Sequence, residues 1–226
     1  MEKQKVIFSK EELDAFAGED NSLQNKVYNA LIEKFLNKEL VPGQIINRRQ
    51  VASEMDVSVA PVLEAFLRLE QEGFVLTIPR KGTMVSPLRK EDIIGYAVIR
   101  EAIEVEAAFF YRGEKIRDNY DELHSYAELL DSTPIHSVEH ADMETIFHAS
   151  LVNLSGYRTL LQDFLRVNRV GYFYKINTMR TDIGTQSQKH VDLIDSLCTD
   201  DAFKAVEAVR SHLRSGKPWS EEVFRL

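Results

Sequence analysis

A single cysteine, Cys198, stands in the 226 residues, so no internal disulfide framework is available and the chain fits a reducing compartment. No stretch approaches the roughly 20 consecutive apolar residues that cross a bilayer. The opening MEKQKVIFSKEELD has no apolar core of the kind a signal peptide carries. The expected location is therefore cytoplasmic, with no membrane partner. Internal repeats and low-complexity runs are also lacking. What remains, 44% hydrophobic and 28% charged residues, is the balance of a globular protein, and the length suits two ordinary domains.

The chain is also short of positive charge, with a formal net of -8. A partner feels the local field rather than the total, so the distribution matters more. Residues 1–20 carry three basic and six acidic groups, residues 21–90 ten and seven, and residues 91–226 fifteen and twenty-three. The excess of cations is confined to the second segment, which permits that segment to bind DNA.

From Ser22, the apolar residues Leu23, Val27, Leu31 and Phe35 recur every four positions and predict a helix that Pro42-Gly43 ends. A second short helix is expected from about Arg48 to Met55. A third begins after Ser58 as N-cap, takes Pro61 in its first turn, lines one face with Val62, Phe66 and Leu69, and ends at Gly73. FVLTI and TMVS read as two strands around Pro79-Arg80-Lys81-Gly82. Three helices followed by a hairpin with a basic tip make a winged helix. Pro87-Leu88-Arg89-Lys90 reads as a linker, and beyond it helical stretches follow one another with breaks near Gly113, Pro134, Gly156, Gly184 and Thr199. The expected fold is mainly α: an arm (1–20) that is either mobile or a small helix, a winged helix-turn-helix (21–86), a linker (87–90) and an all-α helical bundle (91–226).

In a helix-turn-helix the second helix enters the major groove, where its N-terminal residues meet base edges while flanking cations grip phosphates. The candidates are Ser58, Val59, Ala60 and Leu63 on that helix, Arg48 and Arg49 on the one before, and Arg80, Lys81 and Gly82 at the wing. Any one of these arginines is equally a solvated surface charge; the set is more specific than its members.

In the C-terminal half, Glu144 and His148 lie four apart and share a helix face. His190 opens an apolar helix, and His212 follows Ala205, Ala208 and Val209 on an inward face. A carboxylate and three imidazoles on facing helices suit a divalent transition metal with open coordination positions, zinc first and nickel or manganese as alternatives. Taken singly, each histidine is more often a core or surface residue than a ligand, and the spacing does not show three helices converging. His136 and His140 are read as capping or solvent-facing, and His124 as surface.

The stretch LVPGQIINRRQVASEMDVSVAPVLEAFLRLEQEGFVLTIPRKGTMV resembles the winged helix of the GntR superfamily of bacterial regulators. The resemblance rests on Pro42-Gly43, Arg49, Ala52, Val57-Ser58, Pro61-Val62, Glu64-Ala65, Leu69-Glu70, Glu72-Gly73 and Gly82. It departs where Val59 and Leu63 stand at positions that commonly hold arginine, and where Arg48 replaces an acid. Residues 91–214 resemble the FCD effector domain of the FadR-type branch, through Glu144, Phe147-His148, His190 and His212. The branch's usual acid is Asp, and Tyr157 stands where Asn is frequent after the glycine. Arg100 matches a recurrent arginine; it either faces an effector carboxylate or pairs with Glu104.

The resemblance implies a homodimeric transcription regulator whose affinity for a double-stranded operator is set by a small organic acid at the metal, with Arg100 and Tyr157 as effector contacts. Two other readings are a metal-dependent enzyme in the helical domain and a winged helix used for protein contacts. Against the first, no separate general base, nucleophile or phosphate-cradling loop stands out.

Overall fold

A computed structural model of the chain describes residues 5–16, 22–87, 89–135, 137–178 and 189–215. The expected breaks at Gly184 and the histidine at 136 lie outside these residues. The rest forms two compact units, one drawn from 18–96 and 166–181, the other from 1–17, 97–165 and 182–226.

The first unit is the winged helix. Helix α2 (Leu23–Leu36) starts at Ser22, whose side chain accepts a hydrogen bond from the Asn25 amide, and buries Val27, Leu31 and Phe35. Leu23 departs from the expected face: it lies before the first full turn and is 53% exposed. A strand, β1 (Ile45–Ile46), leads into α3 (Arg48–Glu54), whose first amides are capped by the Asn47 side chain. Helix α4 (Val59–Glu72) follows Ser58, which holds the extended N-cap conformation although its hydroxyl makes no capping bond. The buried face of α4 is Val62, Ala65, Phe66 and Leu69. Gly73 ends it at φ 96, a left-handed conformation that only glycine adopts without strain. A Cβ there would also meet the Tyr96 hydroxyl.

Strands β2 (Val75–Ile78) and β3 (Gly82–Val85) form the wing hairpin, with Leu76 opposite Met84 and Thr77 opposite Thr83. The sheet has a third member that the sequence pattern does not reveal: β1 pairs with β3, Ile46 opposite Thr83, in the order β1-β3-β2. Two residues are too few to show alternation. Under the sheet, Phe35, Phe74 and Phe173 have ring centroids 5.3 to 5.5 Å apart. Phe173 comes from α9 (Arg158–Thr178), whose C-terminal half supplies Val170, Phe173 and Tyr174 to this core. Three such aromatic contacts contribute about 0.5–1.5 kcal/mol each beyond the area they bury.

The second unit is helical: the greater part of α5 (Lys90–Tyr111), then α6 (Glu114–Asp118), α7 (Tyr120–Ser132), α8 (Val138–Leu154), the start of α9, α10 (His190–Leu197) and α11 (Ala202–Arg214). Its breaks fall at Gly113, at Thr133–Pro134, at Gly156 and at Thr199, as expected. Tyr111, Ile116, Leu123, Phe147, Leu161, Phe164 and Ile194 fill its core. The N-terminal arm belongs to this unit. Glu122 accepts hydrogen bonds from the amides of Val6 and Ile7 at 3.0 and 2.8 Å, and Ser150 from that of Phe8 at 3.1 Å. A short helix, α1 (Lys10–Phe16), follows and buries Leu13. The acidic side chains of the arm therefore share it with an apolar anchor, Ile7 and Leu13, which charge counting alone conceals.

Candidate functional site

Three buried imidazoles of the helical unit lie together. His148 comes from the middle of α8, His190 is the first residue of α10, and His212 sits near the end of α11; all three are buried. One nitrogen from each lies within 4.8 Å of the others. Nitrogens about 2.1 Å from one tetrahedral cation are about 3.4 Å apart, so the rings must close by up to about 1.4 Å to share one.

Two of the three rings, those of His148 and His190, are oriented by a carboxylate behind them. His148 Nδ1 is 2.5 Å from Glu104 Oε2, and Glu104 in turn receives Arg100 Nε at 2.6 Å. His190 Nδ1 is 2.7 Å from Asp131 Oδ1. Asp131 also accepts the amides of His190 and Val191 at 3.0 and 3.2 Å, so it holds both the ring and the N-terminus of α10. With Nδ1–H of His148 donated to Glu104, its Nε2 presents a lone pair to the interior of the cluster. Nε2 of His190 faces Glu144 Oε1 at 3.2 Å. Nε2 of His148 and Nδ1 of His212 are buried with no hydrogen-bond partner. Leaving one such atom unsatisfied costs about 1–3 kcal/mol, and two face the same small space.

The electrostatics favour a cation there. Burial and the neighbouring imidazoles push His212 down to about 3, so it stays neutral with its lone pair available. Burial also lowers His148, assisted by Arg100 and opposed by Glu104. His190 goes the other way: burial alone would lower it, but hydrogen bonds to Asp131 and Glu144 carry it up to about 9. Glu144 is held well below the usual carboxylate range against the cost of burial, by His190, His148 and Arg100. Were His190 to give up its proton, three carboxylates against one guanidinium would leave an excess of two negative charges, the charge of a divalent cation. The donor set, nitrogen with one carboxylate and carboxylate-braced rings, is that of a transition-metal site.

Glu144, His148, His190 and His212 are therefore brought together. Arg100 is in the ion pair with Glu104 that was its alternative reading; it uses Nε for that pair and lies 5.7 Å from the Phe164 ring centroid. Its two terminal nitrogens make no hydrogen bond among the described residues. Tyr157 is not brought to the cluster: half-exposed, it packs edge-to-face on Phe110 at 4.9 Å. Two residues of the site were not singled out as such from sequence. Glu104 carried a signal, its spacing from Arg100, whereas Asp131, at the end of α7, carried none. His140 is buried rather than solvent-facing, and its amide donates to the Ser137 hydroxyl that caps α8. His124 is partly exposed beside Glu128.

In the winged-helix unit, Arg49, Ser58, Val59, Ala60, Leu63, Arg80, Lys81 and Gly82 are all exposed. Arg80, with φ 64, and Gly82, with φ 108, form the wing tip. Arg48 differs from its neighbours. Its Nε donates to Thr83 Oγ1 at 2.7 Å and a terminal nitrogen donates to Thr77 Oγ1 at 3.2 Å, with the guanidinium 5.3 Å from the Phe66 ring centroid. Thr77 is held in addition by Glu70 through its amide and hydroxyl. Arg48 thus braces the wing against α4.

Residues 23–85 match the family model of bacterial regulatory proteins, gntR family, and residues 96–215 match that of the FCD domain. An HTH-type transcriptional regulator encoded in an unstable DNA locus of Streptomyces ambofaciens is 25% identical, covering 84% of this chain and 81% of its own length. The HTH-type transcriptional regulator YdhC of Bacillus subtilis is 27% identical over 66% of this chain and 68% of its own. Among solved structures, a GntR transcriptional regulator from Rhodococcus sp. RHA1 superposes with a TM-score of 0.65 at 18% identity, covering 89% of this chain and 99% of that one. Escherichia coli McbR/YncC does so with a TM-score of 0.60 at 17% identity, over 86% and 95%. These two establish the fold alone. No helix among the described residues is long and apolar enough to cross a membrane.

Proposed function

Because the chain belongs to the GntR family of bacterial regulatory proteins and carries an FCD domain, we propose that it is a regulator whose affinity for operator DNA is set by a small organic acid bound with a divalent transition metal at the histidine cluster. The observation that carries this reading is the pair of buried nitrogens, His148 Nε2 and His212 Nδ1, that have no hydrogen-bond partner among the described residues, in a cluster of three imidazoles of which two are braced by carboxylates. Zinc suits the donors best, with nickel or manganese as alternatives. When bound, such a cation supplies open coordination positions that accept a carboxylate.

The chain's own residues do the remainder. Glu104 and Asp131 fix the tautomers of His148 and His190, and Glu144 completes the donor set. Arg100 supports the choice of an acid as effector, since its terminal nitrogens, with no hydrogen bond among the described residues, form a fork suited to a carboxylate. Exposed Arg49, Arg80 and Lys81 hold phosphates. Regulators of this kind match a two-fold operator as homodimers, and the exposed Val98, Ile99, Phe109 and Phe110 of α5 give an apolar surface for a second copy. An effector that prefers one arrangement of the chain shifts operator affinity by that preference.

The test combines elemental analysis of the purified protein with operator anisotropy at rising salt, before and after chelation. About one equivalent of transition metal per chain, lost in the His212→Ala variant, and operator binding that weakens steeply with salt are expected. Metal-free protein that takes up no zinc, nickel or manganese would sink the metal reading, and unchanged operator affinity in Arg49→Ala would sink the assignment of Arg49.

A further inference from the structure

The first two turns of α4 turn an apolar stripe to solvent. Val59 and Leu63 are 41% and 45% exposed, and Leu67, one turn further, is 57% exposed. Positions 59, 63 and 67 fall on one stripe of a helix, and Ala60 beside it is exposed as well. The three stripe residues carry no donor or acceptor, and the exposed carboxylate of Glu64 lies beside them. The cations around it divide into two kinds. Arg48 is committed to Thr83 and Thr77 of the wing. The side chains of Arg49, Arg80 and Lys81 are exposed and have no hydrogen bond or ion pair among the described residues. An exposed apolar stripe flanked by uncommitted cations, in the segment that holds ten basic against seven acidic residues, is complementary to a polyanion with apolar groups on its inner surface.

In the major groove of DNA each base edge offers hydrogen-bonding groups, and the one apolar group is the C5 methyl of thymine. We propose that α4 reads its operator through thymine methyl groups: the pairs facing Val59, Ala60 and Leu63 are A·T, with the methyl turned to the helix. Arg49 and the wing then supply the grip on phosphate, which carries no sequence information itself. Ser58, whose hydroxyl makes no capping bond, is the polar group left at the entry of the helix. The inference rests on the DNA-binding reading above and specifies the chemistry of that contact.

The full-length protein is used to select duplexes from a random pool, and the selected operator is then rebuilt with deoxyuridine in place of thymine. That change removes the methyl and keeps the base pair. Enriched half-sites with thymines at the protected positions are expected, each deoxyuridine weakening binding about fourfold, the worth of one methyl group taken out of water. In Val59→Ala the penalty at its own position shrinks while those at the others persist. Enriched half-sites rich in G·C at those positions, or an operator indifferent to deoxyuridine, overturn this inference and leave the DNA-binding reading standing. A pool from which nothing is enriched, with no salt-dependent shift, overturns both and points to a protein partner for the stripe.

Discussion

The two units place their functional chemistry at opposite ends of the burial scale. In the helical unit the candidate site is inside: His148, His190, His212 and Glu104 are all buried, and His148 and His190 are each held by a carboxylate behind the ring. In the winged helix it is outside, with Arg49, Val59, Leu63, Arg80 and Lys81 exposed, while the buried polar groups serve the fold, as when the Tyr28 hydroxyl donates to Glu72 Oε2 at 2.5 Å. Burial makes geometry expensive to change and a single missing partner costly. Exposure makes residues cheap to exchange, so recognition can be altered without disturbing the fold.

The sharpest way to break this contrast is to remove a brace. Glu104→Ala leaves Arg100, with 19% of its side chain exposed, without its ion partner. A loss of about 3–5 kcal/mol in chemical denaturation is expected, as for other half-removed buried pairs; a change under about 1 kcal/mol would show that the helical unit tolerates the orphan. Phe173→Ala, which empties the aromatic contact under the wing sheet, is expected to cost a similar 3–5 kcal/mol. Its effect should appear in operator binding and leave zinc affinity, read by chelator competition, unchanged. Asp131→Asn sharpens the comparison from the other side: it keeps the shape of the brace, so zinc affinity should fall about 10–100-fold while operator binding without effector stays as it was. At the small end, Lys10→Ala removes a pair whose members are 59% and 42% exposed. Its expected thermal effect lies within the roughly 0–1 kcal/mol of surface ion pairs, and a larger one would mean that the arm is held by charge rather than by Ile7 and Leu13.

The same contrast decides what the sequence makes legible. Helices with apolar residues at helical spacing, the Gly73 stop and the wing hairpin are readable because their causes are local: periodicity, a glycine conformation, a turn between β-branched runs. The four proposed ligands are readable because histidines and an acid on inward faces are uncommon enough to notice. Their braces are not, since whether Asp131 meets His190 depends on where α7 ends relative to α10, fifty-nine positions away in the chain. Strand β1 is too short to carry a pattern, and the tie of Arg48 to Thr83 exists only once the hairpin folds over it. Tyr157 took its expected role from resemblance; in the structure its neighbour is Phe110.

One consequence concerns portability. The hydrophobic interior of the DNA-reading module is finished by Val170, Phe173 and Tyr174, contributed from far downstream. A fragment cut after Pro87 would carry every residue proposed to contact the operator yet lack the Phe173 ring that packs on Phe35 and Phe74, a sticky surface in place of a lid. Grafting this head onto another body therefore requires a helix bearing an equivalent aromatic plug, and heads and bodies in such chains are constrained to change together.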